Sequence, residues 1–107
     1  MIDGREKTTG DATPFTYEGE VALGAARLVA MARAFRVRGN REERLTDELQ
    51  TAQTDLMRAI LLACGAGMTI EDVRSRVIEP ALSRPGVTEG AAALLRKAMR
   101  SVQEHLG

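Results

Sequence analysis

Cys64 and His105 are the only thiol and the only imidazole in the chain, and side chains of these types can act as nucleophile and base. An activated pair needs the imidazole within hydrogen-bonding distance of the thiol, and nothing in the sequence requires the two to meet. One cysteine and one histidine also give no metal-ligand spacing. We therefore predict that Cys64 is a buried apolar side chain and that the protein holds no metal and no cofactor.

The carboxylates are numerous but show no catalytic pattern. They lie at predicted helix starts or among polar neighbours rather than in buried pairs, and no Glu-x-x-His pair of the di-iron kind occurs. The stretch GAGMT lacks the lysine and the preceding strand of a phosphate-binding loop. The sequence therefore predicts that the protein is not an enzyme and has no small-molecule substrate.

Arginines are concentrated between residues 33 and 44. The members of this block are Arg33, Arg36, Arg38, Arg41 and Arg44. Guanidinium groups pair well with phosphates and carboxylates, so the block is a candidate contact for nucleic acid or for an acidic partner. Alternatively, the arginines stabilise the negative end of a helix and solvate a loop, and Glu42 and Glu43 dilute their charge. We favour the second interpretation.

Residues 63–82 match the outline of a helix-turn-helix unit, in which two helices meet at a small residue and a glycine turn. The small, turn and apolar positions of such a unit are filled by Ala63, Gly67, Met68 and Val73. Arg76 falls where a further buried apolar residue is expected, although Val77 can take that place. The same outline occurs wherever two helices form a corner.

The charges on the second helix of this corner do not favour DNA. Its first turn carries Glu71 and Asp72, which suit the positive end of the helix dipole but would face a polyanion. Arg74 and Arg76 follow and could contact phosphates. We favour a plain helix–helix corner and keep DNA binding as an alternative hypothesis.

The composition favours an all-α fold. Apolar residues make up 44% of the chain, alanine is prominent among them, and aromatic residues make up 3%. Helices packed through small residues fit this mixture better than sheets, which favour β-branched and aromatic residues. A chain of 107 residues has room for one modest core, so we predict a compact three- to four-helix bundle.

The pattern of apolar and turn residues divides the chain into a flexible polar tail, residues 1–17, and a helical domain, residues 18–107. The helices of that domain are predicted at about 18–38, 46–64, 69–79 and 88–105. Gly39 is expected to end the first helix, and Pro80 to kink or end the third. Every element that carries a candidate residue is thus a helix or a short turn.

Two of the helix starts carry capping signals. Thr46 and Thr69 are expected to be N-caps, because a threonine hydroxyl can accept a hydrogen bond from a free amide of the first turn. Asp72 follows Thr69 by three residues and forms a near capping box.

The first predicted helix has two apolar stripes. The stripe expected to face the core contains Val21, Ala25, Leu28, Ala32 and Phe35. The second stripe contains Ala22, Ala26, Ala30 and Ala34. The bundle could bury this second stripe centrally, or the stripe could meet its copy in a second chain across a two-fold axis. We favour the second arrangement, which makes these alanines a candidate dimer face.

The N-terminal residues lack the pattern of a secretory signal. The longest apolar stretch, residues 21–32, is too short to cross a bilayer and contains Arg27. A lone cysteine fits a reducing compartment, so we predict a cytoplasmic protein without a membrane partner.

These observations support three functional hypotheses. The main one is a small regulatory or adaptor protein, a non-enzymatic protein–protein interaction module that works through helix faces as a homodimer. The first alternative is a helix-turn-helix DNA-binding regulator. The second alternative is a structural subunit of a phage or of another large assembly.

Overall fold

A computed structural model describes residues 14–39 and 44–106, and within these ranges it describes the side chains from residue 17 onward. The described residues form four helices and no strand, which confirms the all-α bundle. The helices are α1 (Pro14–Ala34), α2 (Asp47–Gly65), α3 (residues 70–82) and α4 (Glu89–Leu106). No helix in these ranges is both long enough and apolar enough to cross a lipid bilayer.

The first helix differs from its predicted bounds at both ends. It begins at Pro14 rather than at residue 18, so residues 14–17, which were assigned to the tail, are helical. Proline is favourable here because the amide hydrogens of the first turn have no partner inside the helix, so the proline loses no hydrogen bond. Residues 1–13, the rest of the predicted tail, lie outside the described residues.

The first helix ends at Ala34, not at residue 38, because the chain turns at Arg36. The backbone of Arg36 is left-handed, with φ at 57°. The Val37 amide donates to the Ala32 carbonyl at 2.9 Å, and the Arg36 amide donates to the Arg33 carbonyl at 3.1 Å. This pair of bonds is a Schellman motif, whose left-handed position is usually glycine. The predicted stop at Gly39 therefore comes too late.

The second helix ends in the same motif with the usual residue. Gly67 has φ at 121°, and its amide donates to the Cys64 carbonyl at 3.1 Å. The Met68 amide donates to the Ala63 carbonyl at 3.0 Å. Met68 is buried after this turn, as Val37 is after the end of α1.

The predicted N-caps are confirmed. The Thr46 hydroxyl accepts a hydrogen bond of 3.2 Å from the Leu49 amide. The Thr69 hydroxyl accepts one of 2.9 Å from the Asp72 amide, and the Asp72 carboxylate accepts one of 3.1 Å from the Thr69 amide. This exchange is the capping box expected from the spacing of the two residues.

The third helix runs through Pro80 by widening before it. It consists of Ile70–Val73, a π-helical turn Arg74–Ile78, and Glu79–Leu82. The Glu79 amide donates to the Arg74 carbonyl, five residues back. Pro80 has no amide hydrogen for the usual bond four residues back, and the wider turn accommodates it. The helix therefore continues to Leu82, past its predicted end at about residue 79; of the two outcomes predicted at Pro80, a kink or an end, the structure excludes the end.

The first helix lies at the centre of the bundle and packs against each of the other three. Its predicted core residues Val21, Ala25, Leu28 and Ala32 are buried. Phe35, predicted to continue this stripe, is 45% exposed, because the left-handed turn at Arg36 brings Val37 into the core instead. The second and fourth helices are tied together by Gln53, whose amide donates to the Leu94 carbonyl at 3.2 Å.

Candidate protein-interaction surface

The candidate dimer face lies on the surface of this single chain. We call Ala22, Ala26, Ala30 and Ala34 the alanine face, and all four residues are exposed. The core stripe of α1 occupies the opposite side of the helix, against the other three helices. The bundle therefore does not bury the alanine face. Of the two arrangements considered from the sequence, this excludes central burial, and contact with a second chain stays a prediction.

The alanine face includes one large apolar side chain at its edge. Leu23 is 57% exposed, the highest exposure among the large apolar residues that the structure describes. It precedes Ala26 by three residues and Ala30 by seven, so it shares their side of the helix. The face therefore combines small residues, which allow close approach, with one side chain that gains from being covered.

One side of the alanine face slopes into a groove between α1 and α3. This α1–α3 groove encloses about 290 Å³. Its small and apolar lining comes from both helices and from the turn that follows α3: Ala22, Ala26, Val29, Ala30, Val77, Pro80, Ala81, Pro85, Gly86 and Val87. The groove floor and the alanine face form one continuous surface because they share three alanines.

Three arginines line the α1–α3 groove: Arg33, Arg76 and Arg84. The Arg76 guanidinium lies 3.0 Å from the Glu18 carboxylate, which joins α3 to the first turns of α1. Arg33 lies against the turn after α3, with its guanidinium 3.4 Å from the position a Gly86 Cβ would occupy.

The arginine block does not form a single patch in the described part of the chain. Arg33 lines the α1–α3 groove, whereas Arg38 lines a separate depression beside the start of α4. Arg36 occupies the left-handed position that ends α1, and Arg44 is exposed before α2. Arg41 lies outside the described residues.

The corner between α2 and α3 buries the residues that the sequence placed at the small and apolar positions of a helix-turn-helix outline. Ala63, Met68 and Val73 are buried, and Gly67 makes the turn. Its two arginines are engaged, since Arg74 forms an ion pair with Glu71 and Arg76 forms one with Glu18. The first turn of α3 therefore carries carboxylates, and its two arginines lie further along the helix.

The thiol and the imidazole do not form a catalytic pair. Cys64 is partly buried among core residues, whereas His105 is exposed, and no hydrogen bond joins them. Burial raises the pKa of the Cys64 thiol, so the thiol keeps its proton at neutral pH and is a poor nucleophile. In residues 14–39 and 44–106, no three histidine, cysteine or acidic side chains are grouped as metal ligands.

A second groove, lined by α3 and α4, did not emerge from the sequence. It contains Arg96 and Arg100, which are four residues apart on α4 and therefore share one side of that helix. That spacing was visible in the sequence, but the groove itself depends on how far α3 stands from α4.

Comparison of the chain with family models, with curated protein sequences and with solved structures finds no match.

Proposed function

We propose that the protein is a non-enzymatic protein–protein interaction module of the cytoplasm that acts as a homodimer through the alanine face. The observation that supports this proposal is the exposure of that face on the central helix of the bundle. By the spacing that places Leu23 on this face, Arg27 and Arg33 border it as well, so the face has an apolar centre and a basic edge. An uncovered surface with an apolar centre and a polar rim is typical of an interaction surface.

A second copy of the chain is the occupant that the spacing favours. The four alanines recur every four residues, so the face matches itself across a two-fold axis at the level of Leu28. An antiparallel arrangement sets Ala22 at the height of Ala34 in the other copy, and Ala26 at the height of Ala30. Small side chains allow helix axes to approach to about 8 Å.

Two exposed arginines stand at the edges of the alanine face. Arg27 lies one residue from the two-fold level, so its two copies are about 3 Å apart along the helix axes, and their long side chains must extend away from each other into solvent. Arg33, beside the alanine face, lies five residues from the two-fold level. In an antiparallel pair, the two copies of Arg33 are separated by roughly 15 Å along the helix axes, at about 1.5 Å per residue. This distance exceeds the screening length of about 8 Å at physiological salt, so their repulsion is weak.

The α1–α3 groove extends the surface available to the second copy. Ala22, Ala26 and Ala30 line the groove as well as the face, so a helix laid on the face also covers the groove floor. Burial of Leu23 at the edge adds apolar area to the contact.

The burial pattern of the α2–α3 corner is compatible with the DNA-binding alternative, but the charge distribution opposes it. Arg74 and Arg76 each have a carboxylate partner, and phosphate contacts would have to replace those pairs. The structural-subunit alternative uses the same exposed helix face, but it requires an assembly larger than a dimer.

The test is the mass of the chain in solution, measured by sedimentation equilibrium over a wide range of concentrations. We expect the wild type to have the mass of two chains and Ala30→Glu to have the mass of one. A glutamate at position 30 would place a long charged side chain where small residues let the helices approach, and this clash remains even when the glutamate pairs with Arg33 one turn away. Thr54→Glu, which adds the same charge at an exposed position of α2, is the matched control and should remain dimeric.

Far-UV circular dichroism of Ala30→Glu should match that of the wild type, since position 30 is exposed and the substitution leaves the core intact. A wild-type chain that stays monomeric throughout, or a dimer that survives Ala30→Glu, would exclude the alanine face as the interface. Masses above two chains would favour the structural-subunit alternative instead.

A further inference from the structure

The α1–α3 groove has an apolar lining that solvent reaches. Ala26 and Ala30 on α1 are exposed, as are Pro80 on α3 and Pro85 in the turn that follows α3. Val29 and Ala81, which line the groove between them, are half-buried. A ligand lying in the groove therefore removes apolar surface from water, which favours its binding.

Side chains that reach from one wall to the other bound the groove at both ends. At one end Arg76 on α3 pairs with Glu18 on α1 at 3.0 Å. At the other end the Arg33 guanidinium on α1 lies 3.4 Å from the position a Gly86 Cβ would occupy. The floor between them, from Ala22 to Ala30, extends about 12 Å along α1, at about 1.5 Å per residue. The groove therefore suits a ligand of about this length.

The end of the groove at Gly86 carries two basic side chains without partners. The guanidinium groups of Arg33 and Arg84 form no ion pair and no hydrogen bond within the described residues. No carboxylate is among the described residues that line the groove. The C-terminal ends of α1 and α3 lie nearby, and each contributes about half a negative charge, which the two full positive charges outweigh. This end of the groove therefore attracts an anion.

We infer that the α1–α3 groove binds a single-chain amphiphile of the fatty-acid class. Its carboxylate lies at Arg33 and Arg84, because guanidinium groups bind carboxylates through charged hydrogen bonds. Its acyl chain runs along the floor past Ala30 and Ala26, toward the Arg76 end. Decanoate, whose extended chain is about as long as this floor, is the probe of choice.

The distribution of charge in the lining favours this ligand over a nucleic acid. A nucleic acid carries a phosphate at every nucleotide, whereas the unpaired basic groups of the groove stand at one end only. An acyl chain with one terminal carboxylate has its single charge at one end and no other polar group. Its polarity therefore matches that of the groove.

The ligand site shares Ala22, Ala26 and Ala30 with the alanine face. The site itself does not depend on the homodimer. An acyl chain on these residues occupies surface that the second copy covers, so the amphiphile should compete with dimerisation. This competition, unlike the site, rests on the function proposed above.

The test of the site is isothermal titration calorimetry with decanoate below its micelle concentration. The protein is the wild type and, in parallel, Leu23→Arg. Leu23 is outside the groove, and in the antiparallel pair it lies at the height of the other copy's Arg33. The added arginine therefore opposes the dimer by repulsion and leaves the groove open. We expect decanoate to bind this variant.

Two further probes separate the head from the chain. Decyltrimethylammonium has the same chain with a positive head and should bind at least about tenfold more weakly, because its charge meets arginines. Acetate has the head without the chain and should give no measurable binding, since it covers none of the apolar floor.

Variants at the basic end locate the head group. In the Leu23→Arg background, Arg33→Gln and Arg84→Gln should each weaken decanoate binding about threefold to fivefold, the range of an exposed ion pair. Arg58→Gln on α2 is the matched control outside the groove and should leave the affinity unchanged. All these positions are exposed, so circular dichroism should report an unchanged fold.

The inference is overturned if decanoate fails to bind Leu23→Arg, if decyltrimethylammonium binds equally well, or if Arg33→Gln and Arg84→Gln leave the affinity unchanged. Competition is measured by sedimentation of the wild type, whose mass should fall from two chains toward one as decanoate is added. A two-chain mass at saturating decanoate would refute the competition. A one-chain mass without ligand would refute the homodimer, and the calorimetry would still decide whether the site exists.

Discussion

Gly90 lies against the backbone carbonyl of Val37, so that a methyl group on Gly90 would stand 1.8 Å from the carbonyl oxygen and 2.4 Å from the carbonyl carbon. Gly90 belongs to the first turn of α4, and Val37 is the buried residue that follows the end of α1. The contact joins the exit of one helix to the start of another. It is a contact between backbones, which cannot be relieved by turning a side chain.

We predict that Gly90→Ala lowers the free energy of unfolding by about 1–3 kcal/mol, the usual cost of overpacking. Helix propensity acts in the opposite direction, since alanine gains up to about 1 kcal/mol over glycine inside a helix. Urea denaturation provides the measurement. Gly65→Ala is the control, because open space surrounds that position, and it should be neutral or slightly stabilising. Equal stability of Gly90→Ala and the wild type would show that the backbones of Gly90 and Val37 do not lie this close together.

The local signals of the fold could be read from the sequence. Thr46 and Thr69 each stand where a hydroxyl meets a free amide, and both cap helices as predicted. The core stripe of α1 from Val21 to Ala32 follows the helical period and is buried. Capping and periodicity depend on neighbours within one or two turns, so the chain alone specifies them.

Features that depend on distant contacts escaped prediction. Gly24 packs against α2, where a methyl group would meet Leu56 at 3.4 Å in ordinary van der Waals contact, so that position has room. Gly90 is the position without room, because of Val37, which is far away in sequence. The pairing of Arg76 with Glu18 likewise depends on how α3 lies across α1. The sequence shows where the arginines are, but the packing of the helices determines which carboxylates they pair with and where the two grooves form.

The end of α1 provides a prediction about backbone strain. Arg36 is the only described residue other than glycine with a positive φ. The left-handed conformation costs an L-residue about 1–2 kcal/mol. It costs glycine less, but glycine loses more conformational entropy on folding. We therefore expect Arg36→Gly to raise the free energy of unfolding by about 0.5–1 kcal/mol.

The matched control for Arg36→Gly is Arg44→Gly, at an exposed position whose φ is not positive. Arg44→Gly relieves no backbone strain in the folded chain. It should lower the free energy of unfolding by about 0.4–1 kcal/mol, because glycine gives the unfolded chain more conformational entropy. Thermal or urea unfolding of the two variants should give opposite signs. Destabilisation by Arg36→Gly would show that the guanidinium contributes more there than the backbone costs.

The partly buried thiol provides a prediction about pH. Burial raises the pKa of Cys64 above its ordinary value, so the folded chain keeps the thiol proton at a pH where the unfolded chain has released it. The corresponding contribution to stability is fully present below the pKa of the unfolded thiol and is lost as the pH rises through the raised pKa. Alkylation by iodoacetamide, followed as a rate against pH, should reach half its maximum at a higher pH for native protein than for protein in urea. A native midpoint equal to or below the unfolded one would show that Cys64 is solvated or that a cationic group lies beside it.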